Sequence, residues 1–111
     1  MKNFLNFNEI NFIEKRKGMF GKVLTGERIQ LAYVKLDYGV VTNHSHIHEQ
    51  IGYILTGEAE ITIGDEKKQC GSGDAYCIPS NVSHSFKVLS QQGVEYIEVF
   101  SPPKPENIMR K

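Results

Sequence analysis

Short runs of alternating apolar and polar residues, separated by turns rich in glycine and proline, fill the chain from Met19 onward. In the clearest run, Ala59–Ile63, alanine and isoleucine alternate with glutamate and threonine, as in a strand with one buried face. Turn signals recur about every eight to twelve residues, a spacing typical of all-β domains. No stretch after residue 18 shows a helical period of useful length. The pattern therefore predicts an all-β fold.

Many short antiparallel strands in one small domain must close or stack, because open sheet edges invite aggregation. A chain of 111 residues has the size of a single domain. We expect a closed jelly-roll barrel over residues 19–101, preceded by an arm over residues 1–18 and followed by a tail over residues 102–111. The arm should contain one short strand, and the proline-rich tail should run over the surface. The barrel would have room for side chains and one small ligand.

The charge balance excludes several classes of partner. Lys plus Arg and Asp plus Glu each number 13, so there is no overall field to attract nucleic acid or an anionic membrane. The apolar runs are too short for a membrane span, and the first residues lack a signal-peptide core. Cys70 and Cys77 do not have CxxC spacing, so we expect reduced thiols and a cytoplasmic protein.

Three of the four histidines lie close together in the sequence. In one continuous strand His44, His46 and His48 would share a face with Gln50, because alternate residues point the same way. His84 follows a second turn-rich stretch, and we expect the fold to return it to the others. Neutral imidazole is the commonest metal ligand, so the sequence predicts one divalent ion held by His44, His46, His84 and the Gln50 amide oxygen. The alternative is that these histidines are surface or core residues bonded to backbone carbonyls.

The first histidine stretch resembles the first sequence motif of the cupin superfamily. That motif contains a glycine, a His-x-His pair, an acidic residue and a closing glycine, which correspond to Gly39, His44, His46, Gln50 and Gly57, with one residue fewer after Gly39. The resemblance implies a cupin-type double-stranded β-helix, which is a jelly-roll barrel. It gives the third nearby histidine no role as a metal ligand.

The second turn-rich stretch is similar to the second cupin motif. Gly73, Pro79 and His84 have the family spacing, and Asn81 stands where glycine is usual. Asparagine tolerates the left-handed backbone conformation that such a turn needs, so the turn is expected to form.

Gln50 replaces the glutamate that is usual among cupin metal ligands. Three imidazoles and an amide are neutral, so the ion, which would be Zn, Ni, Fe or Mn, would keep its full charge and act as a stronger Lewis acid. A ferric ion would also lack an anionic ligand. The substitution therefore favours non-redox chemistry over dioxygen activation.

A carboxylate follows on the last predicted strand. Tyr96, Glu98 and Phe100 share one face, and Glu98 is a better interior candidate than Glu95 because aromatic residues flank it. A buried carboxylate has a raised pKa and suits acid–base catalysis. Alternation alone leaves the other orientation, with Glu98 on the exposed face, equally open.

The run from His44 to Tyr53, with the later Phe-Ser-Pro-Pro sequence, looks like the small cupins of pectin and alginate degradation. Those proteins open the rings of 4,5-unsaturated uronates to linear keto acids. The resemblance assigns catalytic positions to Glu98, Phe100 and Lys104, where the family has Asp, Phe and Arg. Glu98 would move a proton, and Lys104 would offset substrate charge without the two-point grip of arginine.

Two further residues are candidate substrate contacts. Tyr96 would wall the cavity together with the catalytic phenylalanine and exclude water. His48 would either contact substrate or be a polar residue at the barrel mouth.

Three functions therefore follow from the sequence. The first is a metal-dependent enzyme that isomerises or opens the ring of a sugar acid or similar small substrate. The others are a metal-dependent dioxygenase and a non-catalytic small-molecule-binding cupin. We also expect a homodimer, since sheet edges and an apolar arm with Phe4, Phe7 and Phe12 offer surfaces to bury.

Overall fold

The computed structural model describes residues 3–107, in which the secondary structure is strand apart from two short 3-10 helices, Phe7–Glu9 and Pro105–Asn107. Neither is long and apolar enough to cross a membrane. The strands in chain order are β1 Ile13–Arg16, β2 Met19–Thr25, β3 Gln30–Leu36, β4 Val41–His44, β5 Glu49–Thr56, β6 Ala59–Ile63, β7 Glu66–Cys70, β8 Ala75–Ile78, β9 His84–Val88 and β10 Val94–Ser101.

The strands form two antiparallel sheets, which confirms the all-β prediction. One sheet has the order β1-β2-β3-β10-β5-β8 and the other has the order β4-β9-β6-β7. Buried side chains from both sheets, such as Ile54 and Tyr96 from the first and Ile61 and Phe86 from the second, form one core cluster. In strand β10 the residues alternate strictly between buried and partly exposed up to Phe100, because one face of the strand points into this core.

The N-terminal arm folds back on its own sheet. The predicted short strand is β1, which pairs with β2. The rings of Phe7 and Phe12 lie 6.4 and 5.5 Å from that of Tyr33, measured between centroids. Phe4 remains 90% exposed. Two of the three arm phenylalanines are therefore packed within the chain.

The prediction of one continuous strand through His44, His46, His48 and Gln50 is wrong. Strand β4 ends at His44, residues 45–48 form no strand, and Gln50 lies on β5 in the other sheet. The chain crosses here from one sheet to the other. Two of its backbone carbonyls, those of His46 and Ile47, accept hydrogen bonds from the turn before β9 rather than from a neighbouring strand.

Three hydrogen bonds join this crossing to the turn before β9, one of them from the Ser45 hydroxyl to the carbonyl of Asn81 at 3.3 Å. The amide of Asn81 donates to the carbonyl of His46 at 2.8 Å, and the hydroxyl of Ser80 donates to the carbonyl of Ile47 at 2.6 Å. Asn81 has a φ of 65°, which confirms the left-handed turn expected there. The two motif stretches are thus tied together through their loops.

The C-terminal tail is exposed or half-buried up to Glu106, as expected for a surface course, and turns inward at Asn107, while residues 108–111 of the predicted tail lie outside the described residues. After β10, residues Pro105–Asn107 form a 3-10 helix, and Asn107 is buried. The amide side chain of Asn107 donates to Oε1 of the fully buried Gln30 at 3.3 Å. A buried amide needs partners, and these bonds draw the tail onto the barrel.

Candidate functional site

A cavity of about 640 Å³ opens between the two sheets, a volume suited to one small ligand. Strands of both sheets, the arm and the tail contribute to its wall. The side chains in that wall that carry chemistry are Lys15, Arg16, His44, His46, Gln50, His84, Tyr96, Glu98, Phe100 and Lys104.

Three imidazoles lie together in this wall. His44 on β4 is directly opposite His84 on β9 in the strand register, and their ring centroids are 5.7 Å apart. His46 reaches the same place from the crossing loop, with its ring 4.9 Å from that of His84 and 6.3 Å from that of His44. The late histidine therefore joins the early pair as the sequence predicted.

Backbone carbonyls orient two of the rings. Nδ1 of His84 donates to the carbonyl of Val82 at 3.0 Å, and Nδ1 of His46 donates to the carbonyl of His48 at 3.0 Å. A carbonyl only accepts, so Nδ1 carries the proton and Nε2 of each neutral ring keeps a lone pair. Histidines that bind a metal through one ring nitrogen commonly donate from the other nitrogen to a carbonyl in this way.

Burial keeps the imidazoles neutral. Together with the nearby Lys104 ammonium and the other imidazoles, whose effects are smaller, it lowers the pKa of His44 to about 4. Burial, followed by Lys104, also lowers the pKa of His46, and burial lowers that of His84 although its carbonyl partner opposes the shift. The three rings are thus neutral donors at neutral pH.

Gln50 brings an amide to the same wall. It is 4% exposed, and its Nε2 donates to Oε2 of Glu98 at 2.5 Å. Among residues 3–107 the buried side-chain nitrogen and oxygen atoms that lack any partner are Oε1 of Gln50, Nε2 of His46 and Nδ1 of His48. Two of these three are atoms predicted to bind metal, and buried acceptors left in this way are costly.

The candidate ligands line the same part of the wall, but their side chains do not surround one ion-sized site. Within the described part of the chain, no group of three or more His, Cys, Asp or Glu side chains stands close enough together to hold an ion. The chemistry of the donor set nevertheless fits a divalent cation, because neutral imidazole nitrogens and an amide oxygen are suitable ligands.

Glu98 occupies the interior face of β10, whereas Glu95 accepts a hydrogen bond from the hydroxyl of Tyr33. The Tyr76 hydroxyl donates to Oε2 of Glu98 at 2.7 Å, the same oxygen that Gln50 contacts. Within the described residues Oε1 has no hydrogen-bond partner, and Glu98 lines the cavity. Burial raises the pKa of Glu98 to about 7, although the bonds from Tyr76 and Gln50 and the Lys104 charge oppose the shift.

A glycine makes this arrangement possible, and the sequence reasoning missed both Tyr76 and Gly52. In the sheet register Gly52 lies between Tyr76 and Glu98, and Ala32 lies on the other side of Glu98. A Cβ at Gly52 would come within 2.1 Å of the Tyr76 ring, so the missing side chain lets the tyrosine reach across β5. A glycine inside a strand is a known signal of such close approach and marks the position in the sequence.

Phe100 and Lys104 lie beside the donor cluster. The Phe100 ring centroid is 6.4 Å from that of His46, and Nζ of Lys104 lies 4.6 Å from the Phe100 centroid. Burial lowers the pKa of Lys104, while Glu98 and Glu106 act in the opposite direction. The buried Tyr96 completes this apolar wall.

His48 is placed differently from the other histidines. Its ring lies 5.2 Å from that of His46, but its side chain does not belong to the cavity wall among the described residues. What it gives the site is the backbone carbonyl that orients His46.

Comparison with known proteins agrees with this geometry. Residues 32–100 match the Cupin domain family. The chain is 30% identical over 109 residues to the pectin degradation protein KdgF of Dickeya dadantii, which covers 96% of this chain and 98% of that protein. The structure of KdgF from a Halomonas species superposes with a TM-score of 0.88 at 28% identity and covers 97% of this chain and all of that one.

An RmlC-like cupin from Shewanella frigidimarina has the same fold. It superposes with a TM-score of 0.89 at 21% identity and covers 97% of each chain. The family match, the near full-length similarity to a pectin degradation protein and the shared jelly-roll architecture lead to one conclusion. This chain belongs to the cupin family.

Proposed function

We propose that this chain is a metal-dependent enzyme that isomerises a small sugar acid by ring opening, with an unsaturated uronate as its substrate. The observation that carries the proposal is a buried carboxyl, Glu98, with a pKa of about 7 in the same cavity wall as three neutral imidazoles. Similarity to pectin degradation proteins over nearly the whole chain supports the choice of substrate class.

His44, His46, His84 and Gln50 would hold one divalent ion, zinc, nickel, iron or manganese. Their fit rests on neutral donors and on two buried acceptor atoms, Nε2 of His46 and Oε1 of Gln50, that have no partner in the described chain. When bound, the ion would supply Lewis-acid polarisation of a substrate oxygen. The absence of a carboxylate among these four residues favours such non-redox chemistry.

Glu98 is suited to move the proton. In ring opening the bond from the anomeric carbon to the ring oxygen breaks, and its electrons leave with the ring oxygen as an enolate. The anomeric hydroxyl loses its proton and becomes a carbonyl. The carbon that bore the ring oxygen then becomes a ketone as a proton adds to its former double-bond partner, so the product is an isomer. With a pKa of about 7 in the cavity wall, Glu98 is able to take and return a proton at neutral pH.

The remaining residues bind and shield the substrate. Lys104 would offset the substrate's negative charge, and its ammonium is held over the Phe100 ring. Phe100 and Tyr96 give the cavity an apolar wall that excludes water near the reacting bond.

The test is a ring-opening assay on 4,5-unsaturated uronates, followed by the loss of the ultraviolet absorbance of the conjugated double bond. Wild-type protein should consume the substrate, and a Glu98→Gln variant should keep its metal but lose about 10²–10⁴-fold in turnover. Full turnover by metal-bound Glu98→Gln would remove the proton-transfer role. Oxygen consumption with Fe(II) would instead identify a dioxygenase, and binding without turnover would identify a non-catalytic cupin.

Self-association is proposed separately. On the outer face of β5, Ile51 and Tyr53 are 56% and 44% exposed, and they are large apolar side chains that a second chain would cover. A mass near twice that of one chain in light scattering would support a homodimer, and a monomer at high concentration would oppose it.

A further inference from the structure

Two lysines reach the cavity wall from opposite ends of the chain. Lys104 comes from the tail, and Lys15 comes from strand β1 of the arm, for which the sequence predicts no functional role. The ion pairs among residues 3–107 join Lys67 to Glu60 and Lys68 to Asp74, so neither cavity lysine takes part in one. The whole chain has no net charge, which makes this local group of cations notable.

A buried amide holds the two lysines in place. Nε2 of Gln30 donates to the carbonyl of Lys104 at 3.1 Å and to the hydroxyl oxygen of Thr25 at 3.0 Å. Oε1 of Gln30 accepts from the backbone amide of Lys104 and from Nδ2 of Asn107, both at 3.3 Å. Nζ of Lys15 in turn donates to Oδ1 of Asn107. Gln30 is fully buried, so arm and tail are joined through a fixed point in the barrel.

The electrostatics of this place favour an anion. Loss of solvation at the ammonium and, next, the charge of Lys104 lower the pKa of Lys15 to about 8. The residue as a whole is exposed on β1, so solvent screens part of the repulsion between the two lysines. Glu106 and Glu98 offset part of this cost. A ligand carboxylate near both lysines would relieve the remaining repulsion.

We propose that Lys15 and Lys104 together form an anion-binding subsite that holds the carboxylate of the substrate where the arm and the tail meet. The substrate class rests on the proposed function. Each ammonium is a single point charge, whereas an arginine grips both oxygens of a carboxylate at once. Two lysines from different segments therefore supply the two contacts that one arginine would make.

The test measures binding rather than turnover. D-Galacturonate carries the carboxylate but lacks the double bond that is lost in the proposed reaction, and D-galactose lacks the carboxylate. Calorimetric titration of both sugars should be made on wild-type protein, Lys15→Met, Lys104→Met and, as a control with the same charge change, Lys17→Met. Lys17 lies in the turn between β1 and β2 and does not line the cavity.

Lys15→Met and Lys104→Met should each weaken galacturonate binding about tenfold or more, as expected for a hydrogen bond to a charged group. Lys17→Met should bind galacturonate like wild type, and galactose binding should be equal in all four proteins. Lys15→Arg, which keeps the cation, should restore most of the affinity and shows that the loss is not one of folding.

Wild-type affinity for galacturonate in Lys15→Met, or no galacturonate binding to wild type, would overturn the subsite. These outcomes are separate from failure of the proposed function. Lysine-dependent galacturonate binding by a protein that does not open unsaturated uronates would leave the subsite standing and refute the enzyme proposal. Ring opening by wild type, with unchanged galacturonate binding in Lys15→Met, would support the enzyme proposal and refute the subsite.

Discussion

One cavity wall contains both the donor cluster of His44, His46, His84 and Gln50 and the carboxyl of Glu98. The two differ in whether their polar atoms have hydrogen-bond partners. Burial moves both toward neutrality, because it lowers the pKa of each imidazole and raises that of the carboxyl. Donor atoms in the cluster lack partners, whereas Oε2 of Glu98 accepts two hydrogen bonds. The chain thus satisfies one carboxyl oxygen with its own donors, whereas two acceptor atoms of the cluster, Nε2 of His46 and Oε1 of Gln50, have no partner among the described residues.

The largest effect is expected when one of the candidate metal ligands is removed. His84→Ala should lower the affinity for a divalent metal by at least about 100-fold, since even the outer partners of metal ligands are worth about 10–100-fold. Turnover should be lost with the metal. Competition with a coloured chelator gives the affinity.

His48→Ala is the matched control for that experiment. His48 orients His46 through its backbone carbonyl, which alanine retains, and its side chain does not line the cavity. Its metal affinity should stay within a few-fold of wild type. Equal losses in both variants would contradict the assignment of ligands.

The second test uses pH. In the folded protein the pKa of Glu98 is about 7 against an ordinary 4.5, so folding favours the protonated form. As pH rises from about 5 to 8, metal-free wild type should therefore lose up to about 3 kcal/mol of stability relative to Glu98→Gln. Both proteins keep the same histidines, so the difference isolates position 98. Urea unfolding at several pH values measures it, and a difference that does not change with pH would refute the raised pKa.

The third test closes the slot beside the carboxyl. Gly52→Ala places a Cβ 2.1 Å from the Tyr76 ring, which must move, and about 2 kcal/mol of stability should be lost to overpacking. Gly71→Ala is the control, because its Cβ would meet ordinary contacts at 3.7 Å. Denaturant midpoints compare the two. If both variants lose the same stability, the slot has no steric role.

The smallest effect is expected at the tyrosine hydroxyl. Tyr76→Phe removes one of two donors to Oε2 of Glu98, which should cost about 1 kcal/mol. The same bond holds the Glu98 pKa down, so its loss should move the pH dependence of turnover to higher pH. Tyr53→Phe, on the outer face of β5, should change neither quantity. An unchanged pH profile in Tyr76→Phe would show that the hydroxyl does not act on the carboxyl.

The strands were within reach of sequence reasoning, because alternation and turn residues act locally, and the two motif stretches predicted that His84 would join His44 and His46. The loop from which His46 reaches the site was not predicted. The partners of that loop, Ser80 and Asn81, lie more than 30 residues away in the chain. Alternation describes a strand well, but it does not reveal where a strand ends and crosses to the other sheet.

The environment of Glu98 was also only partly predictable. Its interior orientation was one of two open choices, and the partner Tyr76 is reached across a glycine of a third strand. The Gln30 contacts that bring the tail inward join residues more than 70 positions apart. Such contacts depend on strand order, which the sequence pattern alone does not provide.

Whether this chain uses a divalent ion for catalysis is tested by elemental analysis of protein purified without chelator or a nickel column, paired with the ring-opening assay. We expect about one divalent ion per chain, loss of turnover when the ion is removed, and recovery when it is returned. A metal-free protein that opens unsaturated uronates at the full rate would contradict this expectation.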